Sequence, residues 1–394
     1  MRWRGFLNAA FGVWLISSPL TFGHTSSALY WSDIICGLLV ILIGLMTVHF
    51  PLLAWITAGI GLWLQLAPLI FWAPESAAYL NDTFVGILLL VFSFIIPDTP
   101  GTPESQGAEV PPGWSYNPSS YLQRIPVIAL NLICWLIARY LAAYQLGYID
   151  SVWDPFFGSG TVEVLTSKVS KAFPVPDAGL GATAYLLEAL FGFGDSRRWH
   201  TMPWFVLFFG VLAVPVSCVS IVLIILQPMV VGAWCTLCLV TAALMLLIIP
   251  FSIDEVFATL QFMKHAKQRG EPLWKTFWGG TAVVPGPLDP RTPPYNAPYR
   301  KLFDAMRFGI SFPWNLAVCA LVGIGAMMSG DTIEGALITV LAIASCAEIT
   351  RFTRYGIIPL GIWLLFSNPL LGIVALVLCI RKGPIKEQYG PYVP

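Results

Sequence analysis

Long apolar runs recur through this chain, and they constrain its fold more than any other feature. Hydrophobic residues make up 57% of its 394 residues and charged residues only 11%, against about 25% charged in ordinary soluble domains. Many runs approach the roughly 20 residues that a helix needs to cross a bilayer. They are continuously apolar rather than alternating, which favours helices over a barrel. The sequence therefore predicts an all-α, polytopic protein of about 11 transmembrane helices in contact with the lipid bilayer.

The charged residues indicate the orientation of the chain. Lys plus Arg and Asp plus Glu number 21 each, and this balance gives no support for a nucleic-acid partner. The basic residues fall on one side of the predicted spans, which the positive-inside rule assigns to the cytoplasm. They include Arg2, Arg4, Arg124, Arg197, Arg198, Arg300, Lys301, Arg351 and Arg354. We expect an integral protein of the bacterial inner (plasma) membrane with a cytoplasmic N-terminus.

Residues 1–97 contain an internal duplication. Gly12-Val-Trp14-Leu15 to Pro19 recurs as Gly61-Leu-Trp63-Leu64 to Pro68, and Tyr30, Asp33 and Gly37 recur as Tyr79, Asp82 and Gly86. Each copy predicts two membrane helices, with Pro after the first and Asp opening the second. The unit resembles the SPW-repeat family, since Ser18-Pro19 fits its Ser-Pro-Trp residues while the second copy has Ala67-Pro68. Because the N-terminal apolar run belongs to this unit, we expect it to be retained rather than cleaved as a signal peptide.

Composition divides the rest of the chain into four segments. Residues 98–120 are a Pro/Gly-rich linker, 121–250 a four-helix bundle, 251–310 a cytoplasmic Pro-rich segment, and 311–394 a degenerate repeat-like membrane unit and tail. In the last unit Asp331 and Gly335 keep the Asp-x-x-x-Gly spacing of the repeat. Two interpretations of residues 356–380 stay open: one membrane span, or a hairpin broken at Asn368-Pro369.

The chain has eight cysteines, and only two of them are paired by spacing. Cys235 and Cys238 form a C-x-x-C at the start of an apolar run, where a helix would place both sulfurs on one face. Redox activity, a structural disulfide and inert packed thiols are the three alternatives. A metal site is not expected, because zinc takes about four N or S ligands and no other Cys or His lies nearby in the sequence.

Residues 121–250, about a third of the chain, resemble the vitamin K epoxide reductase family. Val164-Leu165-Thr166-Ser167 falls at the loop-end segment of that family, which carries a characteristic serine. Pro176, Gly181 and Tyr185 match the residues that open its second helix, and Cys235-Thr-Leu-Cys238 matches its active-site pair.

This resemblance implies a four-helix bundle that holds a quinone near the outer face of the membrane. The C-x-x-C dithiol would reduce the quinone, with Cys238 facing the quinone and Cys235 exchanging with a thiol donor. Cys235, Cys238 and Ser167 are then the catalytic candidates. Asp177 and Tyr185 are the candidates for quinone binding, and Ser167 and Asp177 could orient or protonate the quinone oxygens.

The chain departs from the family in the loop 148–176. The family re-reduces its active-site pair through a second cysteine pair in this loop, but here the loop has no cysteine and Thr161 stands at the second position. Two functions from different classes follow. One is a dithiol–quinone oxidoreductase served by a thioredoxin-like thiol donor on the outer side. The other is a non-catalytic scaffold or accessory subunit of a larger membrane complex.

Charged residues inside predicted spans are functional candidates by default. Arg139 and Glu188 fall at comparable depth in adjacent spans, which predicts an ion pair between them, with a proton path to a quinone as the alternative. Glu348 beside Arg351 predicts a surface pair. The segment 153–158 predicts either an amphipathic stretch on the outer leaflet or an ordinary Asp-Pro turn.

Overall fold

A computed structural model describes residues 3–47, 49–94, 107–281 and 284–392. Within these ranges the chain is helical, contains isolated bridges and no strands, and is an integral membrane protein that crosses the bilayer several times. Six described helices are long and apolar enough to cross a membrane: Arg4–Phe22, Ser27–Met46, Ser76–Ser93, Tyr121–Gln145, Pro203–Val231 and Thr236–Gln268. Shorter apolar helices accompany them. The predicted all-α polytopic fold is therefore confirmed.

The duplicated unit forms two helical hairpins: α1 (Trp3–Phe22) with α2 (Ser27–Met46), and α3 (Ala54–Ile70) with α4 (Ser76–Phe94). Glycine sits at each crossing. A Cβ added to Gly37 would lie 2.7 Å from the Gly12 carbonyl oxygen, and one added to Gly86 would lie 2.7 Å from that of Gly61. The repeated glycines therefore let the two helices of each hairpin approach closely.

Two predictions about this unit were wrong in detail. Pro19 lies inside the last turn of α1 rather than after it. Proline has no NH to donate to the Leu15 carbonyl oxygen, which accepts a hydrogen bond from the Ser18 hydroxyl instead (2.9 Å). Asp33 does not open α2, since Ser26 is the N-cap residue. Asp33 is instead fully buried about two turns further on, where its carboxylate accepts a hydrogen bond from the Ser18 hydroxyl (3.0 Å).

The central bundle follows. It comprises α5 (Tyr121–Gln145), α6 (Gly160–Thr166), α7 (Asp177–Phe191), α8 (Arg198–Thr201), α9 (Pro203–Leu226) and α10 (Thr236–Gln268). Its core is built of aromatic and aliphatic side chains from α5, α7, α9 and α10. The helix α10 continues for 33 residues and carries Pro250 in its interior. The predicted domain boundary at residue 250 therefore lies inside one continuous helix.

The C-terminal unit consists of two further hairpins: α13 (Trp314–Met328) with α14 (Thr332–Ala344), and α15 (Ile357–Ser367) with α16 (Pro369–Ile380). The chain reverses at Asn368, and a Cβ on Gly372 would lie 2.9 Å from the Gly361 carbonyl oxygen. The Arg381 guanidinium consequently stacks over Trp314, 5.3 Å from its ring centroid, at the start of α13. Residues 356–380 thus form the broken hairpin rather than one span.

Segments from distant parts of the chain form a cap at the end of the molecule where α10 ends. The cap contains residues 107–120, α11 (Leu273–Gly279), α12 (Tyr299–Ala305) and the tail 382–392. Trp114, Tyr116 and Tyr389 are buried in it. Residues 107–120 of the predicted linker are therefore packed against the rest of the protein, while residues 98–106 lie outside the described ranges.

The predicted surface pair between Glu348 and Arg351 was wrong, because the C-terminal tail covers both residues. Glu348 is buried, and its carboxylate accepts hydrogen bonds from the backbone NH groups of Lys386 (2.9 Å) and Glu387 (3.0 Å). The Arg351 guanidinium donates to the Ser311 hydroxyl and to the Lys382 carbonyl oxygen. Both side chains therefore fix the tail in the cap.

Candidate active site around Cys235 and Cys238

Cys235 and Cys238 lie at the N-terminus of α10 and form a disulfide, with their Cα atoms 5.3 Å apart. The preceding turn ends at Gly232, whose φ of 76° favours glycine. Cys235 is the N-cap residue of α10, and its sulfur accepts a hydrogen bond from the Cys238 NH (3.1 Å). The Cys235 NH donates to the Gln227 side-chain oxygen (3.0 Å). A disulfide at this place fits both a redox pair and a structural disulfide.

A cavity of about 330 Å³ opens beside this disulfide, between α5, α7, α9 and α10. Its volume lies at the lower end of the ~300–1,000 Å³ range of small-molecule pockets. Four of the five predicted site residues line it: Cys238, Ser167, Asp177 and Tyr185. The fifth, Cys235, is completely buried behind its partner. The fold therefore brings together residues that are up to 71 positions apart in the sequence, from Ser167 to Cys238.

Polar groups are concentrated at the end of the cavity where α7 begins. One oxygen of the Asp177 carboxylate accepts hydrogen bonds from the Gln145 amide (2.5 Å) and from the Ser170 hydroxyl (2.8 Å). The Ser167 hydroxyl accepts from the Ser170 NH (3.3 Å). Sequence reasoning missed Gln145 and Ser170, because each is a single polar residue at a helix or turn end with no distinctive spacing.

The remaining wall of the cavity is largely apolar. Val216, Val219, Leu223 and Ile224 of α9 and Ala242 of α10 contribute to it. Three hydroxyl groups interrupt this surface, those of Tyr185, Ser220 and Thr241. The cavity thus combines an apolar body with a small number of polar groups, as ligand pockets commonly do.

The loop 148–176 covers Cys235, and Asp154 fastens it there. The Asp154 carboxylate accepts hydrogen bonds from the Thr161 NH (3.0 Å), from the Thr161 hydroxyl (2.6 Å) and from the Thr236 hydroxyl. Partial burial acts to raise the pKa of Asp154, but the hydrogen bonds from Thr161, Thr236 and two backbone NH groups outweigh it and hold the pKa below its ordinary value.

Thr161, which stands where the resemblance places a loop cysteine, is fully buried in this hydrogen-bonded contact. Trp153 and Phe156 on the same segment are 65% and 79% exposed. Asp154 accepts hydrogen bonds from the backbone NH groups of Phe156 (3.2 Å) and Phe157 (3.0 Å), so that the segment contains the turn, while contact of its exposed aromatic side chains with the outer leaflet stays a prediction.

The predicted ion pair between Arg139 and Glu188 was wrong. The Arg139 guanidinium points toward the duplicated unit, where it donates to the Thr83 hydroxyl (3.0 Å) and stacks over Tyr79, 4.8 Å from the ring centroid. Glu188 is fully buried in the bundle, and neither carboxylate oxygen has a hydrogen bond of normal geometry. The side chain of Asn131 lies beside it. Arg139 on α5 and Glu188 on α7 therefore do not face each other. The position of a residue along its own helix does not reveal which neighbouring element its side chain meets.

Two family models match the chain. Residues 125–253 match the vitamin K epoxide reductase family, and residues 2–96 match the SPW repeat domain. The first range begins in α5 and ends within α10, and the second contains α1–α4. Both resemblances noted in the sequence are therefore confirmed. No curated protein and no solved structure matches the chain.

Proposed function

We propose that the protein is a membrane dithiol–quinone oxidoreductase that uses Cys235 and Cys238. The observation that carries this proposal is the presence of Cys238 in the wall of an apolar cavity that also contains Ser167, Asp177 and Tyr185. The match of residues 125–253 to the vitamin K epoxide reductase family supports a thiol–quinone chemistry at the level of the family. A quinone is apolar enough to enter such a cavity from the membrane.

The reaction transfers two electrons from the cysteine pair to the quinone. The reduced pair loses two electrons and its sulfurs join in a disulfide, while the quinone gains two electrons and two protons and becomes a quinol. Cys238 faces the substrate in this scheme. The N-terminus of α10 favours the thiolate form of the pair, because the helix dipole is positive there.

The polar end of the cavity would orient the quinone. One quinone oxygen would lie near Ser167 and near the Gln145–Asp177–Ser170 group, while the apolar side chains of α9 contact the ring. Tyr185 would contact the substrate from the wall formed by α7.

The electron donor would be a separate thioredoxin-like thiol protein on the outer side of the membrane, because the loop 148–176 contains no cysteine. Cys235 is the cysteine that would exchange with this donor. Since Cys235 is completely buried, the exchange requires the loop to move away from the start of α10. This arrangement assumes a bacterial inner membrane protein with a cytoplasmic N-terminus, which places the loop outside.

A second candidate is a non-catalytic scaffold or accessory subunit of a larger membrane complex. The burial of Cys235 beneath the loop favours it, because a closed disulfide without a relay would serve only to hold the first turn of α10 in shape.

Quinone reduction by the purified full-length protein distinguishes the two candidates. The protein would be reduced with dithiothreitol and given a short-tailed quinone, and Cys235→Ala and Cys238→Ala would be compared with Cys218→Ala. Cys218 is a free, exposed cysteine outside the site and provides the matched control. The proposal expects turnover that both site variants lose and the control retains. Equal background rates in all four proteins would favour the scaffold.

A further inference from the structure

Glu188 is an isolated acidic side chain in the middle of the bundle. It is fully buried, and no described Lys, Arg or His side chain forms an ion pair with it. Arg139, the obvious candidate, is bound to Thr83 and Tyr79 instead. An ionised carboxylate without a cation is very costly in an apolar interior. The surroundings of Glu188 therefore favour a neutral carboxyl that carries a proton.

Tyr185 connects this carboxyl with the cavity. Residues 185 and 188 are neighbours on the same face of α7, with about 5–6 Å expected between Cβ atoms at this spacing. Tyr185 lines the cavity together with Ser220 and Thr241. A buried proton thus lies one helical turn behind a hydroxyl group that would contact a ligand.

We propose that Glu188 is a buried proton store that supplies one of the two protons of quinone reduction through Tyr185. This inference rests on the proposed function. The reduced pair starts as the Cys238 thiolate and the Cys235 thiol and supplies two electrons and one proton. Tyr185 donates the second proton to a quinone oxygen and receives one from Glu188. The products are the disulfide, the quinol and an ionised Glu188, and because the ionised form is costly there, Glu188 takes up a proton from water again, so that atoms and charge balance.

A purely structural role for Glu188 makes a different prediction. If the carboxyl only fills space beside Asn131, glutamine would replace it at no cost, because Gln has the same shape as a protonated Glu. Glu188→Gln is therefore the decisive variant. Glu188→Asp, which keeps the exchangeable proton on a shorter side chain, tests for rescue.

Steady-state kinetics with dithiothreitol and a short-tailed quinone would test whether Glu188 supplies a proton to the reaction. We expect Glu188→Gln to lower kcat by about 100-fold, at the lower end of the range of general acid–base effects, with little change in the KM for quinone. The solvent deuterium isotope effect on kcat should rise, and Glu188→Asp should recover part of the rate. Wild-type kcat and an unchanged isotope effect in Glu188→Gln would overturn the inference.

An infrared measurement separates failure of this inference from failure of the proposed function. A neutral Glu188 gives a protonated-carboxyl C=O band that is missing from the spectrum of Glu188→Gln, whether or not the protein reduces quinone. If wild-type protein shows no turnover, the proposed oxidoreductase fails. If no such band distinguishes the two spectra, Glu188 carries no proton and the store is refuted independently of turnover.

Discussion

Thr236, the residue that follows Cys235, donates a hydrogen bond from its hydroxyl to the Asp154 carboxylate in the loop 148–176. The same carboxylate binds Thr161 through two hydrogen bonds. One side chain thus fixes the loop to the start of α10 and covers Cys235. Thr161 stands where the resemblance to the vitamin K epoxide reductase family places a loop cysteine, and here it binds Asp154 instead.

Asp154→Asn should make the disulfide more accessible from the loop side. Hydrogen bonds to a charged group each contribute about 1.5–3 kcal/mol, and their weakening should raise the population of the open loop by about tenfold or more. Reduction of the Cys235–Cys238 disulfide by a hydrophilic dithiol should accelerate accordingly, as followed by thiol labelling and mass spectrometry. Asp150→Asn, which changes an exposed carboxylate of the same loop, is the control. Equal reduction rates in the three proteins would show that the loop does not limit access.

A fall in pH should destabilise the cap, because it protonates the Glu387 carboxylate. The Glu387 carboxylate is paired with Arg291 and accepts a hydrogen bond from Ser115. Burial acts to raise the pKa of Glu387, but the hydrogen bonds from Arg291 and Ser115 outweigh it, so that the pKa lies below the ordinary value of 4.5. A lowered pKa in the folded state means that the stabilisation is complete above pH 4.5 and is lost as the pH falls through the folded-state value.

Thermal unfolding in detergent at pH 7 and at pH 3.5 would measure this effect. Glu387→Gln should lower the Tm at pH 7 and should show a smaller further drop at pH 3.5 than the wild type. The same acid-induced drop in both proteins would assign the pH dependence to other groups.

Gly37→Ala should destabilise the first hairpin. The added Cβ would lie 2.7 Å from the Gly12 carbonyl oxygen and 2.7 Å from an Ile16 side-chain carbon, so that the helices must separate. Overpacking of this kind costs about 1–3 kcal/mol. Gly59→Ala is the matched control, since a Cβ there has nothing within 4 Å and alanine favours a helix by about 1 kcal/mol over glycine. A lower Tm for Gly37→Ala and an equal or higher Tm for Gly59→Ala are expected, and the reverse order would contradict the close crossing.

Arg139 and Glu188 should be energetically independent. Because each side chain has different neighbours, the changes in unfolding free energy of Arg139→Gln and Glu188→Gln should add in the double variant to within about 0.5 kcal/mol. Thermal or chemical unfolding of the wild type, the two single variants and the double variant in detergent provides this double-mutant cycle. A coupling free energy well above about 1 kcal/mol would show that the two side chains interact, as the predicted ion pair requires.

Much of the architecture could be predicted from the sequence. Apolar run length fixed the all-α membrane fold, and the repeated Gly12 and Gly61 identified two equivalent hairpins. The prediction was less accurate where burial decides the outcome. Asp33 resembled a helix cap by its position, yet the packing of the hairpins buried it beside Ser18. Residues 107–120 resembled a linker because they are rich in Pro and Gly, yet Trp114 and Tyr116 give this segment a packed core.

The same distinction between local sequence and tertiary packing applies to the site. The sequence by itself determined the membrane environment and the C-x-x-C pair, because local composition and spacing carry that information, and its resemblance to the vitamin K epoxide reductase family suggested Ser167, Asp177 and Tyr185. Only the tertiary structure decided that these residues surround one cavity, that Asp154 closes the loop over Cys235, and that Glu188 has no cation beside it. These relationships depend on how separate helices rotate and pack against one another, and a helix's own sequence does not specify which residues of another helix it will meet.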